Sequence, residues 1–151
     1  MFRYLSLILC FLAGCTSFES AYNDVYRRLQ SRDSEQCIEI ANYHLKKGYF
    51  SNNEKVELYQ LIGGCFQQIG FYDDALNSLV AAVNLSGDNV SKSKVLFQRA
   101  LLYFAIDPGS NEKYTNVINS GCSDMAEACR LMPDKYCTEY SLKKYPPTNC
   151  R

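Results

Sequence analysis

The chain predicts an all-α fold of antiparallel helical hairpins, and three observations carry that expectation. Between Ala21 and Ala105 no stretch alternates apolar and polar residues as a strand would, while apolar residues recur at spacings of three and four. The periodic stretches are short and punctuated by Gly, Asn, Asp and Ser, the residues that stop and cap helices. Beyond Cys10 and Cys15 stand six further cysteines, Cys37, Cys65, Cys122, Cys129, Cys137 and Cys150, an even set suited to disulfides.

The elements follow in order. Ala21 to Gln30 carries Tyr22, Val25, Tyr26 and Leu29 on one face, and Ser31-Arg32-Asp33-Ser34 reads as a turn and cap. Glu35 to Lys47 places Ile38, Ala41 and Leu45 together, and Gly48 ends it. Ser51 and Glu54 have the spacing of a capping box, in which hydroxyl and carboxylate satisfy each other's backbone N–H groups. They open a helix over Lys55 to Ile69 that Gly70 stops. Asp73 or Asp74 starts a fourth helix to Leu85, with Ala75, Leu76, Leu79, Ala82 and Val83 facing inward. Gly87-Asp88-Asn89 breaks it, and Ser91 to Ala105 forms the fifth. A weaker helix is placed over Asn111 to Asn119, after Asp107-Pro108-Gly109.

From Val56 the chain reads as a 34-residue unit with Tyr59, Ile62, Gly63 and Phe66 in its first helix and Ala75, Leu79 and Ala82 in its second. This pattern resembles a tetratricopeptide repeat, with Gly87 where that family usually has Pro. The small residues Gly63 and Ala75 let two helices approach while Tyr59, Phe66 and Leu79 fill the space beside them. Upstream, Cys37 takes the place of Ala75 at a spacing of 38. Downstream, Leu96, Ala100 and Tyr103 fit a third unit displaced by three residues. The resemblance implies a short stack of hairpins over 21–119, and a cysteine-rich relative of the same fold, the Sel1 type, is the closest rival. The tail 120–151 differs, with four cysteines, Pro133, Pro146 and Pro147, and a helix only over Asp124 to Leu131. It reads as a disulfide-rich cap over the open end of the stack. Cys122 and Cys129 on one helix would lie about 10.5 Å apart, too far to bridge each other; the remaining pairings stay open.

The N-terminus has its own character. Arg3 precedes the apolar run Leu5 to Leu12, and Ala13, Gly14 and Cys15 follow. A basic start, a short apolar stretch and small residues make a secretory signal, and the run is too short for a membrane span of roughly 20 residues. Leu12-Ala13-Gly14-Cys15 resembles the lipobox of bacterial lipoproteins. The resemblance implies that 1–14 is a leader, that Cys15 receives the lipid, and that 15–20 is the lipidated cysteine and a short tether, Thr16 to Ser20 reaching at most about 18 Å. Thr16 after the cysteine, in place of the Asp that often marks inner-membrane retention, implies the periplasmic face of the outer membrane. Asn84-Leu85-Ser86 and Asn89-Val90-Ser91 fit the glycosylation triplet and favour instead an ordinary secreted chain.

Lys and Arg number 16 and Asp and Glu 16, and Arg3 is the only charge in the leader. That balance speaks against a nucleic-acid partner. The single histidine, His44, lies on a helix beside Lys46 and Lys47, and no nucleophile elbow, zinc-protease motif or phosphate loop is present. The cysteine spacings lack both C-x-x-C and the close pairs of structural zinc sites. No enzyme activity, cofactor, metal or small-molecule substrate is expected. Binding is what remains. In tetratricopeptide arrays the first helix of each unit lines a groove for a peptide or partner helix. The resemblance maps that face onto Glu57, Gln60, Gly64 and Gln67, then onto Lys94, Phe97, Leu101 and Phe104. The expectation is an envelope protein or peptide partner for a lipid-anchored adaptor. Its rivals are a structural envelope protein with no fixed client, and a Phe97–Leu101 surface covered by the C-terminal tail.

Overall fold

The computed structural model describes residues 17–106, 116–137 and 150, and all regular structure there is helical. Cys15, the leader and most of the tail after Cys137 lie outside the described residues. Among the described residues seven helices follow in order: α1 Phe18–Gln30, α2 Ser34–Lys47, α3 Asn52–Gln68, α4 Tyr72–Leu85, α5 Asn89–Ala105, α6 Val117–Leu131 and the single turn α7 Pro133–Tyr136.

Helix starts and stops obey local chemistry. Ser51 caps α3 by accepting from the Glu54 N–H, while the Glu54 carboxylate accepts from the Ser51 N–H and hydroxyl at 2.7 Å each. Those hydrogen bonds hold the Glu54 carboxyl below its ordinary pKa. Asp88 caps α5 by accepting from the Ser91 N–H at 2.8 Å. The α3 C-terminus closes as a Schellman motif: Phe71 N–H donates to the Phe66 carbonyl and Gly70 N–H to that of Gln67, with Gly70 at φ 78°. The same two bonds close α1, from Asp33 to Arg28 and from Arg32 to Leu29, but the left-handed residue is Arg32 at φ 59°.

Most expected starts move toward the N-terminus: α3 begins at Asn52 and not Lys55, α4 at Tyr72 and not Asp73 or Asp74, and α5 at Asn89 and not Ser91. Two further shifts alter the architecture. The first helix starts at Phe18, not Ala21, because Ser17 caps it and the Phe18 ring packs 5.8 Å from Tyr22 and 5.9 Å from Phe50. Only positions 16 and 17 therefore separate Cys15 from helix, and the five-residue tether is shortened accordingly. The helix expected over Asp124 to Leu131 starts at Val117 and runs through the point where the repeat region and the tail were divided. Gly121 stands inside this helix. In the fold a Cβ there would lie 2.5 Å from the Phe104 ring, so the glycine lets α6 seat against α5.

The helices pack as sequential pairs, and α1 also touches α3 as α3 touches α5. The α2–α3 crossing is antiparallel, because Ser34 hydrogen-bonds Gln68 at 2.8 Å while Cys37 is disulfide-bonded to Cys65. Helices α2 and α4 are both 14 residues long and begin 38 residues apart. The same spacing relates buried Cys37, Ala41 and His44 of α2 to buried Ala75, Leu79 and Ala82 of α4. Helices α3 and α5 are both 17 residues long, begin 37 apart, and match at buried Leu58 and Val95, Gly63 and Ala100, Cys65 and Leu102.

Three apolar clusters result. One joins α1, α2 and α3 through Val25, Cys37, Leu58 and Cys65; the next joins α3, α4 and α5 through Val56, Leu79, Val95 and Leu102. The last joins α5, α6 and α7 through Leu96, Ala128 and Tyr136. The six cysteines pair as Cys37–Cys65, Cys122–Cys150 and Cys129–Cys137, so Cys122 and Cys129, both on α6, each bridge elsewhere.

Candidate functional site

The candidate site is a recess to which the three odd-numbered helices contribute. Tyr22 and Leu29 come from α1, Glu57, Gln60, Leu61 and Gly64 from α3, and Lys94 and Gln98 from α5. Its volume is about 180 Å³. Drug-sized ligands occupy pockets of about 300 Å³ or more, so this space suits one or two protruding side chains.

The wall between α3 and α5 is a pair of amides. The Gln60 side-chain amide donates to Gln98 Oε1 at 2.8 Å, and the Gln98 amide donates to the Gln60 carbonyl at 3.1 Å. This reciprocal arrangement satisfies groups that would otherwise be costly to bury, and it sets α5 against α3. Burial, then the neighbouring Glu57 carboxylate and Tyr26, push the Tyr22 phenol above its ordinary pKa. Like any phenol, its hydroxyl is protonated and able to donate at neutral pH. Glu57 and Lys94, 37 residues apart, bring one charge of each sign to the rim.

Glycines 63 and 64 sit side by side on α3 and do different things. A Cβ at 63 would meet Leu79 Cγ at 3.2 Å, so its absence lets α4 close on α3. A Cβ at 64 would meet only Leu29, at an ordinary 3.5 Å. Packing does not require glycine at 64, and a glycine inside a helix costs about 1 kcal/mol relative to alanine. The missing side chain does one visible thing: it deepens the recess.

The expected binding residues divide. Glu57, Gln60, Gly64 and Lys94 come together at the recess. Gln60, however, is only 8 % exposed and is committed to Gln98, so it builds the wall more than it offers a contact. Gln67 is exposed near the end of α3 and does not line the recess. Phe97 faces elsewhere, stacking 4.8 Å from Tyr136 of α7, so the C-terminal segment covers it. Phe104 packs on Gly121, and Leu101 is half-buried outside the lining. Tyr22, Leu29 and Gln98 were not anticipated, although Tyr22, Gln60 and Gln98 succeed one another at intervals of 38.

Other chemistry-bearing groups have structural duties. Arg99 makes a bidentate pair with Asp124, at 2.6 and 2.7 Å, which raises the guanidinium pKa further and ties α5 to α6. His44 is buried, with Nε2 3.9 Å from Asp24, in the position that Ala82 takes in α4. Among the described residues no group of three or more His, Cys, Asp or Glu could hold a metal ion, and no helix is long and apolar enough to cross a membrane. No protein-family model matches the chain, and no curated protein or solved structure matches it.

Proposed function

We propose that this chain is a lipid-anchored envelope protein whose helical stack, similar to tetratricopeptide repeats, docks a segment of another envelope protein. One observation carries the docking reading: alternate helices α1, α3 and α5 converge on a single recess, as the first helices of stacked hairpins would. The 38- and 37-residue spacings of equal-length helices support the repeat reading. Gly64 supports a function for the recess, because it lowers helix stability at a place where packing asks for nothing. The partner is an extended segment with one protruding side chain seated over Gly64, its polar backbone facing Glu57, Lys94 and Tyr22. Attachment at the periplasmic face of the outer membrane, through lipid on Cys15, rests on the lipobox resemblance of Leu12 to Cys15.

Two measurements test this. Intact mass of protein from bacterial membranes should show a chain beginning at Cys15 with added acyl mass, and Cys15→Ser should block processing. A photo-crosslinker at position 94 should yield one discrete adduct in the envelope that is lost on Gly64→Phe, while one at Val80 on α4 yields none. Equal adducts from both positions would sink the docking reading. A structural protein with no fixed client is the second reading, favoured by the covering of Phe97; it expects no discrete adduct from either position.

A further inference from the structure

We propose that one end of the molecule, presenting Tyr49, Lys46 and Lys47 beside the start of α1, rests on a phospholipid headgroup surface. The antiparallel order brings together the start of α1, the end of α2 and the start of α3, as the Phe18 to Phe50 ring contact of 5.9 Å shows. In the connection after α2, Phe50 turns inward and is 8 % exposed, while its neighbour Tyr49 is 100 % exposed. A large aromatic side chain fully exposed among the described residues, next to a buried one, is shaped for a surface outside the fold. Tyrosine suits the headgroup region, where its ring meets acyl chains and its hydroxyl meets water.

Lys46 and Lys47, in the last turn of α2, are exposed beside it. Their long stems can lie along the surface while the ammonium groups reach lipid phosphates. Acidic groups at this end are Glu19, which is exposed, Glu54, whose carboxylate is bonded to Ser51, and, at the start of α5, exposed Asp88, which accepts from the Ser91 N–H. The chain outside the described residues indicates what covers this end. The apolar run Leu5 to Leu12 and Cys15 join the fold here, and only positions 16 and 17 intervene before α1. The opposite end also carries an exposed aromatic, Phe71, but it lies beside Asp73 and Asp74 and one helix length from the attachment.

The orientation rests on the membrane attachment proposed above, and either lipid on Cys15 or a retained apolar leader would enforce it. The chain contains no tryptophan, so Tyr49→Trp and Phe71→Trp each introduce a single reporter at an exposed site. Each full-length variant, purified from bacterial membranes, is reconstituted into phosphatidylcholine–phosphatidylglycerol vesicles with or without bromine on the acyl chains. Emission of Tyr49→Trp should fall about twofold on brominated lipid, as for a side chain at the interface, and Phe71→Trp should be unchanged. Adding Lys46→Glu and Lys47→Glu should weaken the Tyr49→Trp quenching when phosphatidylglycerol is present.

Vesicle-bound protein in which Phe71→Trp is quenched as strongly, or neither reporter is quenched, overturns the proposed face. Protein that fails to float with vesicles overturns both the face and the attachment. Quenching of Tyr49→Trp in protein whose mass lacks acyl groups supports the face while removing lipid on Cys15.

Discussion

The first and second hairpins, 18–47 and 52–85, have second helices of equal length set 38 residues apart, yet they pack their helices in opposite ways. Positions 38 apart make the comparison direct. Where α1 has Val25, α3 has Gly63; where α2 has Ala41, α4 has Leu79. The bulk sits on the first helix of one hairpin and on the second helix of the other. All four sites are buried, so the shared requirement is filled volume and not residue identity. The turns differ likewise, with Arg32 and Gly70 closing the same Schellman motif. Cys37 stands 38 residues before Ala75, equally buried, and bonds to Cys65 of the next hairpin.

That difference predicts where each hairpin is vulnerable. Replacing Cys37 and Cys65 together by alanine should cost the most, about 3–4 kcal/mol for a bridge closing a loop of this length. Urea denaturation should show it, and a midpoint unchanged from the wild type would mean the first hairpin needs no stitch. Leu79→Ala should cost about 3 kcal/mol by opening a cavity against Gly63. The decisive variant installs the first hairpin's solution in the second. Gly63→Val alone should cost about 1–3 kcal/mol through overpacking. Combined with Leu79→Ala it should show a favourable coupling of about 1 kcal/mol or more in a double-mutant cycle. Strict additivity would break the claim that the two hairpins exchange volume across one interface.

The turn comparison gives smaller effects. Gly70→Ala should lose about 1 kcal/mol, because a Cβ is unfavourable at positive φ. Arg32→Gly should gain about 0.5 kcal/mol, the relief of left-handed strain exceeding the added freedom of the unfolded chain. Thermal melts of the pair would reverse the reading if both changes destabilised.

The helices were legible in the sequence wherever their signals were local. The capping box at Ser51 and Glu54, the stop at Gly70 and the 38-residue offset of Cys37 from Ala75 are all properties of neighbouring residues or simple spacing. The start of α6 was not legible, since Asn116 makes no side-chain cap there and the fit of Gly121 against Phe104 is a contact between distant residues. The site was half legible. On α3 the expected residues Glu57, Gln60 and Gly64 line the recess, because helical periodicity puts them on one face, while Gln67 lies beyond it. On α5 the expected Lys94 lines it too, but Phe97 turns toward Tyr136 and its neighbour Gln98 takes the recess side, because one residue of phase rotates a helix by about 100°.

By itself, the sequence determined an all-α chain, the number and order of its first five helices, and an even set of cysteines available for bonding. Those follow from short-range periodicity, caps and counting. Only the tertiary structure decided which cysteines pair, why Gly63 and Gly64 are not equivalent, and that Phe97 belongs to Tyr136. These depend on which helix faces meet, and that is settled by the summed packing of residues far apart in the chain.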